Sequence, residues 1–215
     1  MNGNRGLWIK VCGLRTREAI EAASSAGADA IGFVFHEASP RNLPLEEARA
    51  LVAGVPVGIE TVAVFLHPSQ ALVTSVLDAI RPDWVQADAA DLDGLRLPVG
   101  QKTLPVFRTG GGAPAEVDAM RGRRFLLESA QSGAGELADW TAAASLASRG
   151  ELVLAGGLDV ANVGAAIARV RPFGVDVSSG VERSRGVKDV ALIRDFVAAA
   201  RKWGHSPFSG DTASA

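Results

Sequence analysis

Residues 151–182 read ELVLAGGLDVANVGAAIARVRPFGVDVSSGVE. A short apolar run, Leu152–Ala155, meets the turn Gly156-Gly157. An Ala-rich amphipathic stretch follows at about Val160–Arg169, and a second apolar run begins at Gly174 and ends at Ser178. Two strands joined through a helix run parallel, because the helix carries the chain back to the starting edge.

The same unit recurs on both sides of this segment. Apolar runs are found at Leu7–Cys12, Ala30–Phe35, Thr61–Leu66, Trp84–Gln86, Thr103–Phe107 and Arg124–Glu128. Helical patterns lie at about Thr16–Ala26, Leu45–Ala53, Ser69–Ile80, Trp140–Ser148 and Val187–Trp203, with short segments near Ala90–Leu95 and Ala115–Met120. The count is eight strands and eight helices, which predicts a single α/β domain of the (β/α)8 TIM-barrel class with its active site at the C-terminal strand ends. A doubly wound open sheet is the structural alternative. Thr16 reads as an N-cap, Gly27 as a helix stop, and Pro44 and Pro68 as helix starts. Residues 1–203 are assigned to the barrel, and residues 204–215, rich in Ser, Gly and Pro, to a disordered tail.

The chain has 215 residues, enough for one sizeable core and short of two. Its formal charge of −2 lacks the basic footprint of a nucleic-acid-binding protein. No run approaches the roughly 18 apolar residues of a membrane span, so the expectation is a cytoplasmic protein with no membrane partner. Cys12 is the only cysteine, which excludes an intrachain disulfide. His36, His67 and His205 are scattered, so no metal site and no cofactor is expected.

Strand alternation puts Trp8, Lys10 and Cys12 on one face and Ile9 and Val11 on the other. A lysine is unwelcome against the helix layer, so the Lys10 face points into the barrel and carries the one thiol to its mouth. A nearby cation favours the thiolate, the reactive form; the bland alternative is a small buried apolar cysteine. Arg41, in the Ser39-Pro40-Arg41 loop after the second strand, can hold a carboxylate with two parallel hydrogen bonds. Glu128 closes the sixth strand and is a candidate proton donor. Gly156 and Gly157 after the seventh strand, with Ser178, Ser179 and Gly180 after the eighth, suit a phosphate, which such barrels often bind at these two loops. Asp176 faces the mouth from the eighth strand.

In their order and spacing these pieces resemble phosphoribosylanthranilate isomerase over roughly residues 7–200. The resemblance is carried by Lys10-Val11-Cys12-Gly13, Gly32-Phe33-Val34-Phe35 with Ser39-Pro40-Arg41, and Val62-Ala63-Val64-Phe65. It continues through Asp139-Trp140, Ala155-Gly156-Gly157-Leu158 and Asp176-Val177-Ser178-Ser179-Gly180-Val181-Glu182. It implies an enzyme of tryptophan biosynthesis that converts N-(5-phosphoribosyl)anthranilate to the open-chain deoxyribulose phosphate by an Amadori rearrangement. By the resemblance, Cys12 is the general base, Glu128 the general acid, and Arg41 the contact to the anthranilate carboxylate. Lys10 and Asp176 are expected beside the substrate. The partner is then a small phosphorylated molecule, and the assembly a monomer or homodimer.

Four departures from the family pattern stand out. The family usually has Asp at position 128. Its fourth strand usually reads Gln-Leu-His-Gly, against Gln86-Ala87-Asp88-Ala89 here. Ser132-Gly133-Ala134-Gly135 replaces its usual glycine-rich loop, and Arg108-Thr109-Gly110-Gly111-Gly112 is unusual as well. Rival readings are a histidine-pathway or dual-substrate barrel isomerase and a non-catalytic phosphate-binding barrel. The former uses a strand-1 carboxylate, where this chain has Cys12.

Overall fold

The computed structural model describes residues 6–108, 120–128 and 139–204. The expected helix near Ala115–Met120, the Ser132–Gly135 loop and the tail beyond Gly204 lie outside the described residues, apart from Met120. Strands β1 (Trp8–Cys12), β2 (Ala30–Val34), β3 (Glu60–Val64), β4 (Trp84–Asp88), β5 (Lys102–Arg108), β6 (Arg124–Glu128), β7 (Glu151–Leu154) and β8 (Gly174–Val177) form one closed parallel barrel in sequence order. The open-sheet alternative is therefore excluded.

Around the barrel run α1 (Arg17–Ala26), α2 (Leu45–Val52), α3 (Gln70–Ile80), α4 (Ala89–Gly94), α5 (Trp140–Leu146), α6 (Val163–Val170) and α7 (Val190–Gly204). Local chemistry sets their ends. The Thr16 hydroxyl accepts from the Ala19 amide, and Gly27 closes α1 at φ 92°, where a residue with a Cβ would be strained. Ser69 caps α3 in the same way.

The last helix begins later than the periodicity suggests. Val187–Lys188 is a short strand, β10, that pairs antiparallel with β9 (Glu182–Ser184). Gly186 turns the chain between them at φ 82°. Asp189 then starts α7 by accepting from the Ala191 and Leu192 amides. The apolar Val187 fits the helical period of the residues after it, but pairing with Ser184 holds it in the hairpin.

Period-two alternation divides the core into two layers. Ile9, Val11, Ile31, Phe33, Ala63, Val85 and Leu127 pack with Ile20, Val73, Val76, Ile167 and Phe196 of the helices. Trp8, Ala30, Val62, Leu104, Val106, Leu126 and Val153 fill the barrel interior. The floor is built from the first residues of the strands. The Arg124 guanidinium lies 4.7 Å from the ring centres of both Trp8 and Trp84 and 4.5 Å from that of Phe173. It also donates to Glu60 and Glu151. A cation over aromatic faces, neutralised by carboxylates, seals this end and leaves the opposite end for chemistry.

Candidate active site

Cys12 ends β1 at the open mouth, 6% exposed. The sulfur sits where β2 has no side chain: a Cβ on Gly32 would lie 2.8 Å from Cys12 Sγ and 3.1 Å from Lys10 Cε. Gly32 is thus needed for close approach of a neighbouring strand's side chains. One step below, Lys10 and Asp176 are register partners on β1 and β8, and Lys10 Nζ donates to Asp176 Oδ1 at 2.9 Å. Lys10 has no exposed surface. Burial opposes its charge, but the Asp176 carboxylate and Cys12 more than offset that, and Lys10 is held above the usual lysine range. Burial pushes the Cys12 thiol up, and the cations Lys10 and Lys188 pull it back only in part.

On the far side of the mouth, Glu128 ends β6. Its Oε2 accepts from Arg108 Nη1 at 3.0 Å, and Arg108 Nη2 donates to Asp88 Oδ1 at 2.5 Å. Arg108 and Asp88 are the last residues of β5 and β4. Three positions that look unusual in sequence therefore form one unit, a guanidinium held between two carboxylates across three neighbouring strand ends. Glu128 also interacts electrostatically with Asp176, which stands two strands along the barrel on β8.

Arg41 is not the solvated surface residue its tripeptide allows. It is 7% exposed and makes the expected pair of parallel hydrogen bonds, but to the chain's own Glu182, at 2.6 Å from Nε and 3.0 Å from Nη2. Its stem lies over Gly13, whose Cβ would come within 2.9 Å of Arg41 Cδ. The Nη1 amine is not used by Glu182. Glu182 also accepts from Lys188 Nζ at 2.9 Å and from the Gly186 amide at 3.0 Å. Although burial opposes its charge, the Arg41 and Lys188 hydrogen bonds hold its pKa down to about 2.

The glycine turns after β7 and β8 touch. Gly156 and Gly157 have φ of 88° and 65°. Asp159 pairs with Gly180 in a parallel bridge, and a Cβ on Gly180 would collide with the Leu158 carbonyl. Asn162 closes the first turn, donating to Gly157 O and accepting from the Asp159 amide. Gly157, Ser179 and Gly180 are thereby brought to one corner. The Ser178 hydroxyl is directed elsewhere: it donates to the Cys12 carbonyl at 3.3 Å and accepts from Lys188.

Among the described residues, one group, His67, Asp88 and Asp91, has ligand-type atoms close together. His67 Nδ1 is already 3.1 Å from Asp91 Oδ2, and Asp88 is taken by Arg108. No helix among these residues is long and apolar enough to cross a membrane.

Four residues of this mouth escaped the sequence reading as site residues: Asp88, Arg108, Glu182 and Lys188. Alternation could have found two. Trp84-Gln86-Asp88 and Leu104-Val106-Arg108 are inward faces that end in a charge at the mouth. Glu182 lay at the end of a quoted motif, and Lys188 was absorbed into a helix.

The arrangement offers a thiol and a carboxyl facing one space, an arginine with an unused edge, and a corner of backbone amides. The family model for N-(5'-phosphoribosyl)anthranilate (PRA) isomerase matches residues 9–199. The N-(5'-phosphoribosyl)anthranilate isomerase of Pseudomonas fluorescens is 41% identical over 201 residues, covering 89% of this chain and 97% of that protein. The crystal structure of phosphoribosyl anthranilate isomerase from Thermotoga maritima superposes with a TM-score of 0.77 at 30% identity, covering 91% of this chain and 99% of that one. A phosphoribosyl anthranilate isomerase in complex with reduced 1-(o-carboxyphenylamino)-1-deoxyribulose 5-phosphate gives a TM-score of 0.74 at 30% identity, with the same coverage. With a matching barrel and matching motifs over nine-tenths of its length, this chain belongs to the N-(5'-phosphoribosyl)anthranilate isomerase family.

Proposed function

We propose that this chain converts N-(5'-phosphoribosyl)anthranilate to 1-(2-carboxyphenylamino)-1-deoxyribulose 5-phosphate, the Amadori step of tryptophan biosynthesis. The observation that carries the reading is the placement of the one thiol, Cys12, at the β1 end of the mouth, with Glu128 and Asp176 around the same space. In this reading Glu128 gives a proton to the furanose ring oxygen, the C1′–O bond breaks, and the anilino nitrogen supplies the electrons for a C1′=N Schiff base. The Cys12 thiolate removes the C2′ proton to give an enolamine, and protonation at C1′ yields the C2′ ketone. Protons move within the site and no electrons leave it.

Each end of the substrate has a counterpart. The Nη1 edge of Arg41 suits the anthranilate carboxylate, since a guanidinium can bond a second carboxylate on its remaining face. The corner of Gly156, Gly157, Ser179 and Gly180 suits the phosphate, whose oxygens would take backbone N–H groups. Ser178 is engaged by Cys12 and Lys188, so its part is to shape this corner. Lys10 has no exposed surface and acts on the substrate through the groups it holds, Asp176 by a hydrogen bond and Cys12 by its proximity. Asp176 lies next to it at the mouth. Arg108 fixes the Oε2 side of Glu128 and with it the direction of the carboxyl group.

The test is turnover by the purified protein, followed as loss of the anthranilate ester's fluorescence. Disappearance of the signal with formation of the ketose is expected; no turnover at enzyme concentrations near the substrate's own removes the assignment. A complex with the reduced product should place the phosphate at Gly157, Ser179 and Gly180. A phosphate found at another pair of loops overturns that part.

A further inference from the structure

We propose that Glu182 and Lys188 are positioning residues of this site, a buried carboxylate–ammonium pair that orients Arg41 on one side and supports Ser178 and Cys12 on the other. The inference rests on the reading above and assigns work to two residues which that chemistry does not use directly.

Both side chains are shut away from solvent, at 4% exposure for Glu182 and 5% for Lys188. Both are also saturated. A carboxylate offers about four lone-pair sites, and Glu182 receives four bonds, two from Arg41 and one each from Lys188 and the Gly186 amide. An ammonium has three N–H groups, and Lys188 spends them on Glu182, the Ser178 carbonyl at 2.8 Å and the Ser178 hydroxyl at 3.3 Å. Neither has capacity left for a ligand, so each acts through what it holds.

For Glu182 that is the plane of the Arg41 guanidinium. Two parallel bonds fix the Nε–Nη2 edge and leave Nη1 for another acceptor. For Lys188 it is Ser178, whose hydroxyl donates to the Cys12 carbonyl. A continuous chain of polar contacts thus runs from the substrate-carboxylate end to the base: Arg41, Glu182, Lys188, Ser178, Cys12.

Charge gives Lys188 a second effect. Among the described residues, Lys10 from β1, Asp176 from β8 and Lys188 from β10 are the ionisable groups that act most strongly on Cys12, while β2 presents Gly32. Lys10 and Asp176 offset each other at 2.9 Å. Arg41 and Lys188 share the single carboxylate of Glu182, which leaves a surplus positive charge in the cluster beside Cys12. A buried cation near a thiol favours the thiolate.

The experiment separates orientation from mere structural support. Lys188→Gln can still bond Ser178 and Glu182 but carries no charge. It should lower kcat about tenfold with little change in KM, and move the rising limb of kcat/KM toward higher pH. Lys188→Arg should restore the limb. Glu182→Gln should instead raise KM about tenfold or more, because Arg41 loses its bidentate partner. Cys12 is the only cysteine, so thiolate absorbance in the ultraviolet, measured against Cys12→Ser, follows the same ionisation without turnover. Its midpoint should move upward in Lys188→Gln. If wild type fails to turn over but the absorbance midpoint still moves, the catalytic reading is wrong and the electrostatic link stands. If Lys188→Gln is folded, loses only thermal stability, and leaves both midpoints in place, Lys188 is structural and the proposal fails. Should Lys188→Gln not fold, the KM-against-kcat split of Glu182→Gln decides: a fall in kcat at unchanged KM overturns it.

Discussion

Glu128 accepts a hydrogen bond from Arg108 at 3.0 Å across the ends of β6 and β5. The relationship gives the longer side chain a use. The resemblance to the family implies an aspartate at this position, and one methylene moves a carboxyl by roughly a bond length, beyond the ~0.5 Å tolerance of catalytic groups. In this chain the added reach is taken up by Arg108, itself anchored on Asp88. Glu128→Gln is expected to lower kcat by about a hundredfold or more, since an amide has no acidic proton to give. Glu128→Asp should keep measurable activity while losing the Arg108 bond. Steady-state rates decide the matter: wild-type turnover in Glu128→Gln would transfer the acid role to another group, with Asp176 the first to examine.

Cys12→Ser should abolish isomerisation, by about a thousandfold or more, without loss of the fold. A hydroxyl is far too weak an acid to serve as base near neutral pH, and the space left by Gly32 easily holds the smaller oxygen. Circular dichroism and rate measurements on the same sample check both halves. Activity within a few-fold of wild type would remove Cys12 from the mechanism.

The thiol is held above its usual value by burial. The active form of a base is the deprotonated one, so kcat/KM should climb with pH through neutrality, by up to about tenfold per unit while the thiol is mostly protonated. A profile that falls from about pH 7 to about pH 8.5 would contradict the thiolate as base.

Glu182 links the site to acid stability. Its pKa of about 2 lies below the ordinary carboxylate range, so the folded state binds a proton less readily than the unfolded chain. The stabilisation is present above about pH 4.5 and is lost as pH falls toward the folded value, on the order of 3 kcal/mol. Glu182→Gln should flatten that part of the stability curve in urea unfolding. Arg41→Ala, which strips two of the four bonds from this carboxylate, should both raise KM for the anthranilate half and, by letting the folded-state pKa of Glu182 rise toward its unfolded value, make the loss of stability in acid shallower. An unchanged KM with Arg41 turned to solvent in a product complex would end its binding role.

Arg124 belongs to the floor of the barrel, away from the chemistry. Arg124→Met leaves the Glu60 and Glu151 carboxylates without that partner and removes a cation from three aromatic faces. A loss of about 3 kcal/mol in unfolding free energy is expected, with kcat/KM within about twofold of wild type. A large kinetic effect at unchanged stability would show that the floor communicates with the mouth.

The sequence by itself determined the alternation of strands and helices and the direction in which most side chains point, while closure of the sheet was settled by the structure. Eight apolar runs alternating with amphipathic stretches admit a parallel sheet closed on itself, and period-two alternation carries Lys10 and Cys12 inward whatever the neighbours are. Those are local properties, set by backbone geometry within a few residues. What the inward-facing groups bond to was decided only by tertiary structure. Arg41 and Glu182 are 141 positions apart, Lys10 and Asp176 166, and Arg108 reaches 20 positions in each direction to Asp88 and Glu128. Barrel closure makes β1 and β8 neighbours and brings the Ser39-Pro40-Arg41 loop against the β9–β10 hairpin. A hairpin of three and two residues is too short to leave a periodic trace, so Lys188 read as helix. Its place behind Cys12 follows from the turn at Gly186 and from the Glu182 carboxylate, which, once buried, has to find cations wherever the fold supplies them.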